Sequence, residues 1–237
     1  MLISFVVFVV IVALSIPAAI VFIPLAVLTR WVDPLYWVGC WIARAGFASA
    51  FIRVRVEGRE NAPRGRAAIY MANHVSNLDP PALLPRIPTR CSVFLKKPLM
   101  KLPVLGYCFG LGRFIPVERD GSPEAARRSV EAARAVLASG LNIATFVEGT
   151  RSRDGRMLPF KKGTFYLAQQ SGALCVPVSI SGTEKLMAKG SFGIKPGRVR
   201  IVFHPPIDPA AYASREELMA AVRAAIASGL PEWMRGY

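Results

Sequence analysis

The first 29 residues of the chain carry no charged side chain, and this stretch constrains the possible folds more than any other feature. At about 1.5 Å per residue, a helix of this length can cross a hydrocarbon core of roughly 30 Å. Pro17 and Pro24 would kink such a helix. The stretch therefore predicts a segment that associates with a membrane.

A second apolar stretch follows after a short polar connection. It extends from Pro34 to Ile52 and is interrupted only by Arg44. Two apolar segments around a polar turn predict a helical hairpin that either spans the bilayer or dips into one leaflet. Three tryptophans would then lie near the membrane interface: Trp31, Trp37 and Trp41. The alternative is one kinked span followed by a buried helix.

The charge balance narrows the class of partner. The formal net charge is +15 and the sequence pI is about 10.4, so the folded surface should attract polyanions. Because the chain also has an apolar segment, an anionic bilayer surface on the cytoplasmic side of the cell membrane fits better than nucleic acid. The basic residues form no single helical stripe and no recognition module is visible, so nucleic-acid binding is the least favoured function.

The four cysteines, Cys40, Cys91, Cys108 and Cys175, are scattered without paired spacing and lie mostly in apolar surroundings. This pattern predicts buried free thiols in a reducing compartment, and it indicates no zinc site.

After the apolar region, short β-rich runs alternate with helical patterns, which is typical of an α/β layer fold. Strands are predicted at 51–57, 66–71, 90–95, 113–118, 141–147, 174–180 and 198–203. Helices are predicted at 102–112, 122–139, 163–170 and 214–228. We therefore expect a membrane-anchoring apolar hairpin over residues 1–52, followed by an α/β domain over residues 53–237 with a mixed β-sheet flanked by helices.

A histidine and an aspartate lie just past the second predicted strand. On a continuous helix, the five residues from His74 to Asp79 correspond to about 140° of rotation, so the two side chains can meet only across a turn. Ser76 and Asn77 favour such a turn, and Asp79-Pro80 is typical of an N-cap followed by a proline at the first helical position. We predict that Asp79 orients the imidazole and that His74 acts as a general base. The alternative is a loop histidine beside an N-cap aspartate.

A second stretch, residues 112–119, places Arg119 just beyond the end of a predicted strand. Ligands of α/β sheets commonly bind outside the carboxyl ends of the strands, and a guanidinium there suits bidentate binding of a phosphate. The alternative is a solvated arginine paired with Glu118 or Asp120.

A third stretch, residues 146–152, also follows a predicted buried strand. Gly149 permits close approach of the backbone, Thr150 offers a hydroxyl and Arg151 adds a second cation suited to phosphate. Glu148 cannot bind phosphate directly, so we expect it to position one of the arginines. The alternative is an ordinary strand-to-loop turn. Four more basic residues follow, which we expect to face anionic lipid rather than substrate phosphate: Arg153, Arg156, Lys161 and Lys162.

In order and spacing, these stretches resemble the 1-acylglycerol-3-phosphate O-acyltransferase family of glycerolipid acyltransferases over residues 66–182. Asn73-His74 with Asp79 is similar to that family's N-H-x4-D block, and residues 148–152 are similar to its E-G-T-R-S block. Residues 114–119 and 176–178 resemble its second and fourth blocks. The sequence departs from the family's pattern at Val147, where proline is usual, at Pro116, which lies inside the strand of the second block, and at Glu118, where aspartate is common.

The resemblance implies transfer of a fatty acyl group from acyl-CoA or acyl-carrier protein to the sn-2 hydroxyl of lysophosphatidic acid, giving phosphatidic acid, without a metal or resident cofactor. His74 and Asp79 would be catalytic. The substrate-binding residues would be Arg119, Glu148, Gly149, Thr150 and Arg151. The alternatives are an acyltransferase for glycerol 3-phosphate or another lysolipid, a thioesterase, and a non-catalytic membrane protein that binds anionic lipid.

Overall fold

The computed structural model describes residues 1–117, 122–188 and 190–236, without the side chains of Pro123 and Ala126. The strands are β1 Ile52–Glu57, β2 Ala68–Ala72, β3 Cys91–Lys96, β4 Ile115–Val117, β5 Asn142–Phe146, β6 Leu174–Ser181 and β7 Gly197–Phe203. The helices are α1 Leu2–Thr29, α2 Asp33–Ser49, α3 Asp79–Leu83, α4 Leu105–Leu111, α5 Pro123–Ala138, α6 Lys162–Ser171, α7 Thr183–Leu186 and α8 Arg215–Gly229. Short 3₁₀ turns lie at Arg59–Asn61, Leu84–Arg86, Lys97–Lys101, Pro209–Ala211 and Glu232–Met234.

The helices α1 and α2 form the predicted hairpin. They pack against each other in opposite directions, and a Cβ added at Gly46 of α2 would lie 3.3 Å from the Cδ1 of Ile11 and 3.8 Å from Val7 in α1. Glycine therefore permits this close approach. The helix α1 continues through both of its prolines, and its length and apolar composition are sufficient to cross a membrane. The three tryptophans of the region are exposed.

The strands form one sheet in the order β1-β7-β6-β2-β5-β3-β4. Neighbouring strands are parallel except β6 and β7, which are antiparallel, so the predicted mixed sheet is confirmed. The helices α1, α2 and α3 cover one face, where Tyr70 packs edge-on against Phe203 at 6.1 Å between ring centroids. The helices α5, α6 and α8 cover the other face around Ile69, Met71 and Phe165.

The central strand β2 positions the functional loops. All five of its residues are buried, because helices cover both faces of the sheet. Ala72 at its end pairs in parallel register with Phe146 of β5 and with Val178 of β6. The loops that leave these three strands therefore meet at one edge of the sheet, the usual place for ligands in parallel α/β folds.

The helix after the histidine loop begins one residue earlier than its sequence predicts. Asp79 is the first helical residue of α3 and Leu78 is the N-cap, so the prediction of Asp79 as N-cap is wrong. The reason is that the Asp79 carboxylate accepts hydrogen bonds from the amides of Val75 and Ser76, which precede the helix.

The four cysteines are free thiols, as predicted; Cys108 is half-buried and the other three are buried. Burial raises the pKa of the Cys175 thiol to about 12. This group is therefore protonated at neutral pH, and thiolate chemistry is not favoured there.

Candidate active site

His74 and Asp79 are in direct contact, as predicted. The Nδ1 atom of His74 lies 2.8 Å from the Oδ2 atom of Asp79, across the turn between β2 and α3. The Asp79 side chain is fully buried, whereas 15% of the His74 side chain is exposed. Because Nδ1 donates to the carboxylate, Nε2 is the nitrogen left with a lone pair when the imidazole is neutral.

The carboxylate of Asp79 has hydrogen-bond donors on both oxygens. Besides His74, the amides of Val75 and Ser76 donate to Oδ2 at 2.7 and 2.8 Å. The hydroxyl of Thr183, at the start of α7, donates to Oδ1 at 2.5 Å. A buried charge without such partners would be costly, so these donors both stabilise the carboxylate and fix its direction.

Neighbouring groups hold the ring and the backbone of His74. The imidazole stacks on Phe146 with 4.1 Å between ring centroids and 23° between planes. The His74 amide donates to Oε1 of Glu148 at 3.0 Å, and its carbonyl accepts from the amide of Ser152 at 2.8 Å. The histidine loop is thus tied at two points to the loop that follows β5.

Glu148 connects two loops. Its buried carboxylate accepts hydrogen bonds from the backbone amides of His74 and Leu158, each at 3.0 Å. Burial raises the pKa of Glu148 to about 7, while the two amides and the charge of Arg223 act in the opposite direction. The hydrogen-bond partners of Glu148 therefore include two backbone amides. The role expected from the sequence, that Glu148 positions an arginine, stays a prediction.

Gly149, Thr150 and Arg151 lie together on the wall of a cavity beside His74. Gly149 has a φ of 69°, which glycine adopts without strain, and a Cβ there would lie 3.0 Å from the Cγ of Lys161. Arg151 is half-buried. The structure thus places three of the predicted substrate-binding residues next to the predicted catalytic pair.

The cavity has a volume of about 1880 Å³ and two chemically different ends. His74, Thr150, Arg151, Lys96 and Lys161 line the polar end. The other end is apolar and is formed by the hairpin, with Val7, Ile11, Ala43, Ile42 and Phe47 among its lining residues. One end can therefore hold an anion and the other a hydrocarbon chain. This volume exceeds the roughly 300–1,000 Å³ of a typical ligand pocket.

Arg119 lies outside the described residues, as do Glu118 and Asp120, so the phosphate-binding role of Arg119 stays a prediction. The structure separates the basic residues that follow Arg151. Lys161 lines the cavity, whereas the Nζ of Lys162 lies 3.0 Å from the Oε1 of Glu216 on α8. Arg153 and Arg156 are exposed.

Three residues that build the site were not among the predicted catalytic or substrate-binding residues. The Asn73 side chain donates to the carbonyl of Ile180 at 2.9 Å and accepts its amide at 2.8 Å, which ties the histidine loop to β6. Thr183 holds Asp79, and Lys96 lines the cavity. Asn73 belongs to the N-H-x4-D block, and Lys96 stands in a group of three lysines with Lys97 and Lys101, but no local pattern pointed to Thr183. In the described part of the chain, no group of three or more His, Cys, Asp or Glu side chains is arranged to hold a metal ion.

Comparisons with known proteins show the family to which the chain belongs. The profile of a family described as Acyltransferase matches residues 53–181, more than half of the chain. A 1-acyl-sn-glycerol-3-phosphate acyltransferase of Limnanthes douglasii is 35% identical over 157 residues, covering 66% of this chain and 55% of that protein. The chloroplastic enzyme LPAT1 of Arabidopsis thaliana is 35% identical over 159 residues, covering 66% and 44%. The chain thus spans about half the length of the curated relatives it matches.

A solved structure covers almost the whole fold. The 1-acyl-sn-glycerophosphate (LPA) acyltransferase PlsC of Thermotoga maritima superposes with a TM-score of 0.85 at 28% identity, covering 98% of this chain and 95% of that one. The match includes the N-terminal helices as well as the sheet. On the family profile, the relatives and the shared fold, the chain belongs to the acyltransferase family that includes the 1-acyl-sn-glycerol-3-phosphate acyltransferases.

Proposed function

We propose that this protein transfers a fatty acyl group from a thioester to the sn-2 hydroxyl of lysophosphatidic acid, giving phosphatidic acid. The observation that carries the proposal is the buried Asp79 carboxylate 2.8 Å from Nδ1 of His74, at the wall of a cavity with a cationic end and an apolar end. The names of the relatives support this choice of acceptor, because each is a 1-acyl-sn-glycerol-3-phosphate acyltransferase.

The chemistry needs no protein nucleophile, because a thioester is already activated. The Nε2 of His74 removes the proton of the acceptor hydroxyl while its oxygen attacks the thioester carbonyl. The new C–O bond forms, the C–S bond breaks, and the same proton passes to the leaving thiolate. Asp79 holds the ring and stabilises the imidazolium that forms in between. General base catalysis of this kind contributes about 10²- to 10⁴-fold, or about 3–5 kcal/mol.

The remaining rate enhancement would come from positioning the acceptor. The guanidinium of Arg151 is suited to the phosphate, and it lines the same cavity as His74. Gly149 and Thr150 would contribute close backbone approach and a hydroxyl, and Arg119 would add a second cation. Glu148 would help to position His74, since it accepts a hydrogen bond from the His74 amide at 3.0 Å.

The hairpin would keep this site at the bilayer, where acceptor and product both reside. We propose that residues 1–52 anchor the protein at the cytoplasmic face of the cell membrane and that residues 53–237 form the acyltransferase domain. The exposed apolar side chains of α1 support this assignment, since they include Phe5 and Phe8, each 63% exposed. The apolar end of the cavity is formed by the same helices and would take hydrocarbon.

A panel of substrates tests the proposal. Purified protein is assayed with lysophosphatidic acid, glycerol 3-phosphate and a lysolipid without the terminal phosphate, each with acyl-CoA and with acyl-carrier protein. Preference for lysophosphatidic acid supports the proposal, and preference for another acceptor assigns the chain to a sibling acyltransferase. Thiol release without an acceptor indicates a thioesterase, and the absence of any turnover leaves a lipid-binding protein.

A further inference from the structure

A ridge beside the cavity exposes several large apolar side chains. We call residues 96–107 the lysine–leucine ridge; it comprises the end of β3, the 3₁₀ turn at Lys97–Lys101 and the start of α4. Five of its apolar side chains are 40–54% exposed: Leu99, Leu102, Val104, Leu105 and Tyr107. Apolar residues clustered so densely on a surface usually mark a contact with a partner or a membrane.

The ridge is also strongly basic. Lys96, Lys97 and Lys101 are exposed among the apolar side chains. Between Asp79 and Glu118 the sequence contains six basic residues and no acidic residue. Apolar side chains next to lysines, with no acidic side chain among them, are the composition of segments that lie in the interface of an anionic bilayer.

Tight backbone packing gives the ridge a defined shape. Gly106 faces the turn, and a Cβ there would lie 2.1 Å from the carbonyl oxygen of Met100, so only glycine fits. Val104 has φ 61° and ψ −58°, and the amide of Leu105 donates to the carbonyl of Pro103 at 2.6 Å. This is a γ-turn centred on Val104, a rare conformation that presents the valine side chain outward.

The ridge and the hairpin border the same cavity. Lys96, Leu99 and Leu105 line it together with His74, and the α1 residue Val7 lines its apolar end. The ridge and the hairpin therefore both contribute to the wall of the cavity that His74 lines.

We propose that the lysine–leucine ridge is a second lipid-contacting surface, separate from the hairpin, which inserts its apolar side chains among the headgroups of an anionic bilayer. Lys97 and Lys101 would lie at the level of the lipid phosphates. The mouth of the cavity then opens into the headgroup layer, and a lysolipid acceptor reaches His74 without passing through water.

An acidic protein is the other occupant with complementary charge, and an acyl-carrier protein would be of this kind. The exposed leucines favour the bilayer, because an acidic partner needs the lysines but gains little from five protruding apolar side chains. The shared cavity favours it as well, since the ridge and the membrane-anchoring hairpin line the same cavity, whose walls are largely apolar.

Spin-label accessibility in the full chain tests the proposal. In a Cys108→Ala background the remaining cysteines are buried, so a nitroxide can be placed at Leu102→Cys, and at Arg64→Cys as the matched control. Arg64 is exposed and precedes β2, at the opposite end of the sheet from the site. The protein is reconstituted into vesicles of phosphatidylcholine alone or mixed with phosphatidylglycerol. Collisions with oxygen report the bilayer and collisions with a water-soluble nickel complex report water.

We expect the label at residue 102 to favour oxygen several-fold over the label at residue 64, and more so when phosphatidylglycerol is present. Adding Lys101→Gln should reduce that preference for anionic vesicles by roughly fivefold, the value of one lysine near an anionic surface. Equal exposure of both labels to nickel in both vesicle types would overturn the proposal. So would a Lys101→Gln effect confined to the KM of a carrier-protein donor, which would assign the ridge to an acidic protein.

The role of the ridge in acceptor access rests on the proposed function, but its contact with lipid does not. If the label at residue 102 inserts but the protein transfers no acyl group, the lipid-contacting surface is supported and the proposed function is wrong. If the label stays in water but the protein makes phosphatidic acid, the proposed function is supported and the lipid-contacting surface is wrong.

Discussion

The hydroxyl of Thr183 donates to the Oδ1 of Asp79 at 2.5 Å, from a position 104 residues further along the chain. Both side chains are fully buried. The histidine and the backbone amides occupy Oδ2, so Thr183 is the partner that fixes the second oxygen and prevents rotation of the carboxylate. The orientation of His74 therefore depends on the loop after β6 as well as on its own turn.

Replacing Thr183 by valine should lower kcat about 10- to 100-fold, because a hydrogen bond to a charged group is worth about 1.5–3 kcal/mol. The KM for the acceptor should stay unchanged, because Thr183 contacts Asp79 rather than the cavity wall. Thr183→Ser keeps the hydroxyl and should restore most of the rate. Steady-state kinetics of the two variants measure this, and equal losses in both would indicate a packing role instead.

Arg151→Ala should raise the KM for lysophosphatidic acid by about 10- to 100-fold, since it removes a charge-assisted contact to the phosphate. Arg153→Ala is the matched control, because Arg153 is exposed two residues away and does not line the cavity. Kinetics at varied acceptor and varied donor separate the two sites. If only the KM for the donor rises, Arg151 binds the thioester donor, and its assignment to the acceptor phosphate is wrong.

Glu148 should make stability depend on pH. Its pKa is raised to about 7 in the folded protein, above its value of 4.5 in the unfolded chain, so the folded state binds the extra proton between these values. The contribution is full below pH 4.5 and is lost as the pH rises through 7. The free energy of unfolding in detergent should therefore fall by about 3 kcal/mol over this window. Glu148→Gln should flatten the curve, and identical slopes in both proteins would refute this account.

Charges placed on α1 should release the protein from membranes. Phe5 and Phe8 are exposed, so Phe5→Asp with Phe8→Asp leaves the protein core intact. An aspartate inside the hydrocarbon core opposes insertion, by up to about 3.5 kcal/mol at the centre of a membrane helix. Sedimentation after a high-salt wash measures attachment, with Tyr166→Asp on the opposite face of the sheet as control. A variant that still sediments wholly with membranes would contradict the anchor.

The sequence predicts most of the fold because its signals are local. Strand and helix positions follow from alternation, glycines and caps, and the strands lie within a few residues of the predicted ranges. The contact between His74 and Asp79 is predictable for the same reason, since turn formers lie between them, but the spacing alone also allowed a loop histidine beside an N-cap aspartate. The predicted start of α3 was wrong by one residue, because the Asp79 carboxylate accepts hydrogen bonds from the amides of Val75 and Ser76 instead of capping the helix.

The rest of the site depends on contacts between distant segments. Thr183 and Glu148 reach the histidine loop only because β6 and β5 both pair with β2, and no spacing in the sequence encodes that order. Lys96 is exposed at the end of β3 and also lines the cavity, and nothing in its local sequence indicates that second contact. Sheet order decides these placements, and it is a property of the whole chain.

The most direct measurement compares acyl transfer by the wild type and His74→Ala, purified in the same detergent, with lysophosphatidic acid and both thioester donors. We expect the wild type to form phosphatidic acid, and the variant to lose about 10²- to 10⁴-fold in kcat while far-UV circular dichroism stays unchanged. A variant that turns over at the rate of the wild type would show that this imidazole is not the base.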